Sequence, residues 1–229
     1  HPHGTDGLGG IGLPEPPTAP DPRHAVELMA DTVRTADAPV TLVATGPLTN
    51  VALFYARHPE LADRLAQVVI MGGSIGAGNV TPAAEFNVWS DPEAAYRVLT
   101  DPPVPTTMVG LDVTYATALP AQELTRLAAG GPIGALVAQA LRHSLDRYAS
   151  TFGRQAVPVH DAVAVVAAAR PDLLDIRPAR IEVDTTVGPS RGDTLVDLRT
   201  SAPTARVAVG ADASGVVELI VDRVAGLGA

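Results

Sequence analysis

"PVTLVATG", residues 39–46, is a short apolar run, rich in β-branched residues, that ends at Gly46. Such a run between turn signals is typical of a buried strand. Pro47 follows it and suits the first turn of a helix, because its φ angle is already helical. We predict a helix here whose apolar face carries Val51, Leu53, Phe54, Leu61 and Leu65.

The same pattern recurs downstream. "QVVIMGG" (67–73) and "PTTMVGLDV" (105–113) are two further apolar runs that pass into glycine. Between them, "SDPEAAYRVL" (90–99) predicts a helix with Asp91 as N-cap and Pro92 at its first position. Strands that alternate with helices at this spacing predict an α/β fold with an open, mostly parallel sheet flanked by helices. Such sheets bind ligands beyond the carboxyl ends of their strands.

The rest of the chain has a different pattern. Residues 119–152 are predicted to be mainly helical, and a further apolar helix over 157–174 has His160 and Asp161 near its start. Residues 180–212 alternate short strands with turns, which predicts a short β-rich segment before a closing helix. There is no internal repeat and no long linker, so we expect residues 1–229 to form a single domain.

Composition excludes several kinds of site. The chain has no cysteine, and all 16 basic residues are arginine, which excludes thiolate zinc sites, thiol nucleophiles, Schiff bases and a Walker lysine. A net charge of −9 without a basic run argues against nucleic-acid binding. No apolar run approaches about 18 residues, so we expect no membrane span. The chain opens on His1 without signal-peptide features, and we expect a fragment of a cytoplasmic protein.

Amides and acids gather in "GNVTPAAEFNVWSDPEAA", residues 78–95. Glu85 and Asn87 are two residues apart and face the same way if the segment is extended, which makes a clamp for adjacent hydroxyl groups. Simple solvation of polar side chains is the alternative. The preceding glycines lack the GxGxxG spacing, so a permissive turn is favoured over a phosphate loop or an NAD site.

His160 and Asp161 allow two interpretations. In the structural one, Asp161 caps the helix and His160 is a buried, hydrogen-bonded ring. In the functional one, Asp161 is a hard oxygen ligand for a metal and His160 donates a proton. The pair alone does not decide between them.

Together these segments resemble a known family. In chain order, "HGTDGLGG", "ATGPLTNVAL", "VVIMGG", "GNVTPAAEFNVWSDPEAA", "MVGLDVT" and "VHDAVAV" resemble segments of the inosine-uridine-type nucleoside hydrolases, over residues 3 to about 168. The resemblance implies a Rossmann-like α/β fold. It also implies hydrolysis of the N-glycosidic bond of purine or pyrimidine ribonucleosides, to ribose and free base, by a calcium-bound water.

The resemblance also implies residue roles. Asp161 and the Thr45 carbonyl would be calcium ligands, with Asp161 also near the ribose, and His160 would protonate the leaving base. The implied substrate-binding residues are His3 beside the base, Met71 behind the ring, Asn79 and Glu85 at the ribose 5′-hydroxyl side, Asn87 at its secondary hydroxyls, and Tyr148 as a base-pocket candidate. A homodimer or homotetramer is expected, as is common in the family.

One departure from the family pattern concerns calcium. The Asp-rich "DxDPGxDD" segment, which supplies most calcium ligands in the family, does not occur in residues 1–229. We therefore expect the larger, C-terminal part of a hydrolase, without its first βα units and inactive by itself. The alternative is a non-catalytic ribose- or nucleoside-binding protein that has lost the metal site.

Overall fold

The computed structural model describes residues 8–13, 16 and 18–227. The chain divides into two compact units. The sheet unit comprises Pro22–Ala116 and His160–Ala211. The helical unit comprises Thr117–Val159 with the described parts of His1–Asp21 and Asp212–Ala229.

In chain order, the strands of the described residues are β1 (Val40–Ala44), β2 (Leu65–Met71), β3 (Thr106–Val109), β4 (Leu119–Pro120), β5 (Ala156–Val157), β6 (Leu174–Val183), β7 (Thr194–Asp197) and β8 (Ala205–Ala211). The α-helices are α1 (Ala25–Thr35), α2 (Thr49–Arg57), α3 (Phe86–Ser90), α4 (Pro92–Leu99), α5 (Leu111–Ala116), α6 (Ala121–Ala129), α7 (Pro132–Phe152), α8 (His160–Ala169) and α9 (Ala213–Ala225).

The sheet unit is built on a six-stranded sheet in the order β1-β2-β3-β8-β6-β7. The pairs β1–β2, β2–β3 and β3–β8 are parallel, whereas β6 runs antiparallel to both β8 and β7. Val43 lies opposite Val69, and Ile70 lies opposite Met108. This arrangement confirms the predicted α/β class, the mostly parallel sheet and the β-rich segment near the C-terminus.

Helices cover both faces of this sheet. Alternate residues of a strand point to opposite faces, and Val68 and Ile70 belong to the main core cluster together with buried residues of α1, α2 and α4. The intervening Val69 is also buried but lies outside that cluster, and α8 contacts β1, β2 and β3. Strand β3 and residues 68–71 of β2 are therefore buried on both sides, which explains why these two sequences are continuously apolar.

A local signal sets the start of α4. Asp91 caps α4 as predicted, since its carboxylate accepts a hydrogen bond from the Ala94 N–H at 3.0 Å.

The predicted apolar face of α2 was partly wrong. Leu53 is 42% exposed, and Leu65 is the first residue of β2, because a 3₁₀ helix over Pro59–Arg64 turns the chain into that strand.

The helical unit packs α6, α7 and α9 against one another. Its two short strands, β4 and β5, form an antiparallel pair in which Leu119 lies opposite Val157. Gly130, at the end of α6, allows a close approach to α9, because a Cβ atom there would lie 2.5 Å from the Ala225 Cβ. Among the residues that the structure describes, no helix is both long and apolar enough to span a membrane.

Two neighbouring residues of α2 test the assignment of its buried face. Phe54 is 0% exposed in the core and Leu53 is 42% exposed. Phe54→Ala should lower the free energy of unfolding by about 3–5 kcal/mol, because it leaves a cavity. Leu53→Ala should change it by no more than about 0.5 kcal/mol. Urea denaturation of both variants measures the difference, and equal losses would contradict the assigned face.

Candidate functional site

The carboxylate of Glu85 lies just beyond the carboxyl end of β2 and is almost fully buried, with Glu85 3% exposed. Its Oε2 atom accepts hydrogen bonds from the N–H groups of Gly73, at 3.0 Å, and Val88, at 3.1 Å. The first bond holds the turn after β2, and the second caps α3. A single buried oxygen thus joins the strand end to the following helix.

The expectation of an extended clamp over "AEFN" was wrong. Glu85 itself is extended, with φ −82° and ψ 150°, but Asn87 lies within α3. The helix forms because Glu85 satisfies the otherwise unpaired N–H of Val88. The two polar side chains are therefore brought together by a helix start and not by strand alternation.

Both amides of the segment make defined contacts. Asn87 is buried, and its Nδ2 donates to the Met71 carbonyl oxygen at 3.0 Å and lies 3.4 Å from the Met71 sulfur. Asn79 is exposed, and its Oδ1 accepts from the Phe86 N–H at 2.9 Å. Met71, Asn79, Glu85 and Asn87 are thus linked to one strand end, with Asn87 Oδ1 and Asn79 Nδ2 as the amide atoms suited to a ligand.

The glycines before Asn79 are required by close contacts. Gly73 has φ +71°, a conformation that other residues rarely adopt. A Cβ atom on Gly78 would lie 2.2 Å from the Ala84 carbonyl oxygen. These positions support the permissive-turn interpretation, since each glycine is explained by the backbone path alone.

Two residues that the sequence analysis missed hold the same turn. The Asp112 carboxylate accepts from the N–H groups of Ile75, at 2.6 Å, and Gly76, at 3.2 Å. The Thr194 hydroxyl oxygen accepts from the Ser74 N–H at 2.9 Å. The acid that follows the apolar run "TTMVGL" was a signal for Asp112, whereas Thr194 is 120 positions from Ser74 and has no local signal.

His160 and Asp161 form the start of α8. The Nδ1 atom of His160 lies 2.7 Å from the Thr114 hydroxyl, and the Tyr115 ring meets the imidazole edge-on at a centroid distance of 5.2 Å. His160 is only partly buried, and Asp161 is exposed in the first turn of the helix. Asp161 therefore lies inside the helix and not at the cap position of the structural interpretation.

Electrostatics link Asp161 to Glu85. Burial raises the pKa of the Glu85 carboxyl above its ordinary value of 4.5, hydrogen bonds from backbone N–H groups lower it, and the negative charge of Asp161 raises it further. The structure thus places one buried and one exposed carboxyl group close enough to interact.

The described residues do not form a calcium site by themselves. Asp161 begins α8 and Thr45 follows β1, but no group of three or more His, Asp or Glu side chains suited to a metal occurs in the described part of the chain. Calcium prefers six to eight oxygen ligands. One carboxylate and one carbonyl do not fill that number, so the predicted calcium ion is not supported by these residues alone.

Two predicted site residues are not among the described residues of the sheet unit. His3 lies outside the described residues. Tyr148 lies on α7 of the helical unit, where its ring contacts Phe152 at a centroid distance of 5.5 Å. Their predicted roles beside the base stay predictions.

Fold and site together define an α/β protein that presents amides and carboxylates at the carboxyl ends of parallel strands. The family model described as inosine-uridine preferring nucleoside hydrolase matches residues 1–218. The chain therefore belongs to the inosine-uridine preferring nucleoside hydrolase family, which confirms the resemblance seen in the sequence.

Individual relatives agree with this assignment. The chain is 42% identical over 228 residues to the pyrimidine-specific ribonucleoside hydrolase RihA of Citrobacter koseri, covering 97% of this chain and 73% of that protein. Among solved structures, it is similar to a purine-preferring ribonucleoside hydrolase from Gardnerella vaginalis, with a TM-score of 0.90, 32% identity and coverage of 98% and 72% of the two chains. An inosine-guanosine nucleoside hydrolase gives a TM-score of 0.84 at 28% identity, over 97% of this chain and 74% of that one.

Substitutions at Glu85 test its structural role. Glu85→Ala removes the acceptor of two buried N–H groups and should lower the free energy of unfolding by about 1–3 kcal/mol. In Glu85→Gln, the amide oxygen can take the place of Oε2 and keep both hydrogen bonds, so most of the stability should remain.

The same variants predict a pH dependence. Because the pKa of Glu85 is raised on folding, the native state holds this proton to higher pH than the unfolded state. Wild-type stability should therefore fall relative to Glu85→Gln as pH rises above 4.5. Urea denaturation between pH 4.5 and neutrality measures this difference, and parallel curves for the two proteins would contradict it.

Proposed function

We propose that this chain carries the sugar-binding and leaving-group side of a ribonucleoside hydrolase, which cleaves the N-glycosidic bond to give ribose and free base. The observation that supports it most is the buried Glu85 carboxylate, held beside Asn87 and close to Asp161 at the end of β2. Pyrimidine ribonucleosides are the first substrates proposed, because the 42% identical RihA is named pyrimidine-specific.

The reaction needs complementary charges. As the bond between the sugar and the base nitrogen breaks, its electron pair moves to the base, and positive charge develops on the ribose. The carboxylates of Glu85 and Asp161 provide negative charge near that position, which stabilises the transition state more than the neutral substrate. The attacking water gives its hydroxyl group to the sugar and releases a proton to solvent. The departing base nitrogen takes a proton from His160, which regains one from solvent.

The hydrogen bonds of the two amides support a proposed binding mode for the ribose. Asn87 donates through Nδ2 to Met71, so its Oδ1 is the atom that accepts from a ribose secondary hydroxyl. Asn79 accepts through Oδ1 from Phe86, so its Nδ2 is the atom that donates to the 5′-hydroxyl side. The buried Met71 supports the ring from behind. These contacts select a neutral, hydroxyl-rich ligand.

Calcium stays a prediction for this chain. Asp161 and the Thr45 carbonyl would be two of its ligands, and the described residues offer no group of three or more His, Asp or Glu side chains to hold it. A second candidate function follows from the same observation. A site that keeps Asn79, Glu85 and Asn87 without a bound metal would bind a ribose or a nucleoside without hydrolysing it.

Base release separates the two functions. We would express residues 1–229 together with any coding sequence that precedes them, and measure uracil release from uridine and hypoxanthine release from inosine. Hydrolysis that stops on chelation and returns with calcium is the expected result. Nucleoside binding that survives chelation, with no base release, would support the binding protein instead.

Asp161→Asn tests the role of the exposed carboxylate in the same assay. It should reduce kcat by about 100-fold or more, since it removes negative charge from the sugar side. Asp172→Asn is the matched control, because Asp172 is an exposed carboxylate of the same unit that pairs with Arg170. It should leave kcat within about two-fold of wild type. Equal rates for Asp161→Asn and wild type would refute the assigned role.

A further inference from the structure

We propose that Thr114 is a positioning residue, whose hydroxyl holds Nδ1 of His160 and thereby assigns proton transfer to Nε2. This inference rests on the proposed function, in which His160 protonates the leaving base. The contact was not foreseen from the sequence, because Thr114 and His160 are 46 positions apart and lie on different helices.

The geometry restrains the ring from two sides. The Thr114 hydroxyl lies 2.7 Å from His160 Nδ1, and Thr114 is 0% exposed on α5, so its position is set by packing. Tyr115, the next residue, packs edge-on against the same imidazole at an interplanar angle of 80°. A threonine has fewer side-chain rotamers than a serine, because its Cβ is branched. The hydroxyl is thus a preorganised partner for Nδ1.

The Thr114 hydroxyl can also accept a hydrogen bond from the positively charged imidazolium form of His160. Its oxygen lies 3.4 Å from the Leu111 carbonyl, which can accept the hydroxyl proton while the oxygen itself accepts from Nδ1–H. In the imidazolium form, Nδ1–H donates to Thr114, and Nε2–H, at the far side of the ring, is the proton to be transferred. When the bond between the sugar and the base breaks, the base nitrogen receives the electron pair and then this proton. After this transfer, the neutral imidazole still donates its Nδ1–H to the Thr114 hydroxyl. The ring therefore need not rotate before the next turnover.

Two substitutions isolate the hydroxyl. Thr114→Val removes it with little change of shape, and Thr114→Ser keeps it. We would compare uridine, whose base needs a proton to depart, with p-nitrophenyl β-D-ribofuranoside, whose phenolate departs without one. General acid catalysis raises the reaction rate roughly 10²–10⁴-fold, and a misplaced acid should lose part of this rate enhancement. Thr114→Val should therefore lower kcat for uridine by about 10–100-fold, with KM and the p-nitrophenyl rate within about two-fold of wild type.

Controls separate positioning from general damage. Thr106→Val removes another buried hydroxyl of the sheet unit, one that donates to the Val104 carbonyl at 3.0 Å, and should leave the ratio of the two substrates unchanged. Thr114→Ser should restore most of the uridine rate. Equal losses of rate on both substrates in Thr114→Val would overturn the inference. So would a Thr114→Ser variant that hydrolyses uridine as slowly as Thr114→Val. If the wild-type protein hydrolysed neither substrate, the result would count against the proposed function itself.

A readout without turnover tests the contact in either case. The ¹⁵N shifts of the neutral His160 ring should show the Nδ1–H form in the wild type and a change toward the Nε2–H form in Thr114→Val. A wild-type ring in the Nε2–H form, or identical shifts in the two proteins, would overturn the inference even if the protein proves to be an active hydrolase.

Discussion

A buried carboxylate at a strand end organises the candidate site. Glu85 Oε2 accepts from Gly73 on one side and from Val88 on the other, so the turn after β2 and the first turn of α3 share one acceptor. Burying a charged group is costly unless its hydrogen bonds are satisfied, and these donors offset part of that cost. Through α3, the same carboxylate places Asn87 against Met71. The positions of the polar side chains therefore follow from one capped helix.

The turn beyond β2 is held by residues from three other segments. Asp112 at the start of α5, Thr194 at the start of β7 and Glu85 before α3 all bind its backbone. These hydrogen bonds make the turn rigid, although it is neither helix nor strand. Rigidity suits a site that recognises hydroxyl groups, because a preorganised set of donors and acceptors loses little entropy when a ligand binds.

The distribution of charge agrees with family membership. The Glu85 carboxyl is buried and the Asp161 carboxyl is exposed, and the negative charge of Asp161 raises the pKa of Glu85. Two acids kept close together are stabilised when positive charge appears between them. Nucleoside cleavage generates such charge on the sugar, which links the electrostatics of the site to the reaction proposed for it.

The sequence by itself determined the α/β class, the strands β1, β2 and β3, the Asp91 cap and the family, because apolar runs, caps and ordered motifs are local signals. Only the tertiary structure showed that Asn87 lies in a helix, that Leu53 is exposed, and that Thr194 and Thr114 contact Ser74 and His160. Apart from the local Glu85 cap that begins α3, those features depend on hydrogen bonds and packing between residues far apart in the chain. A local pattern carries no information about such partners, so they become visible only when the sheet and its helices are assembled.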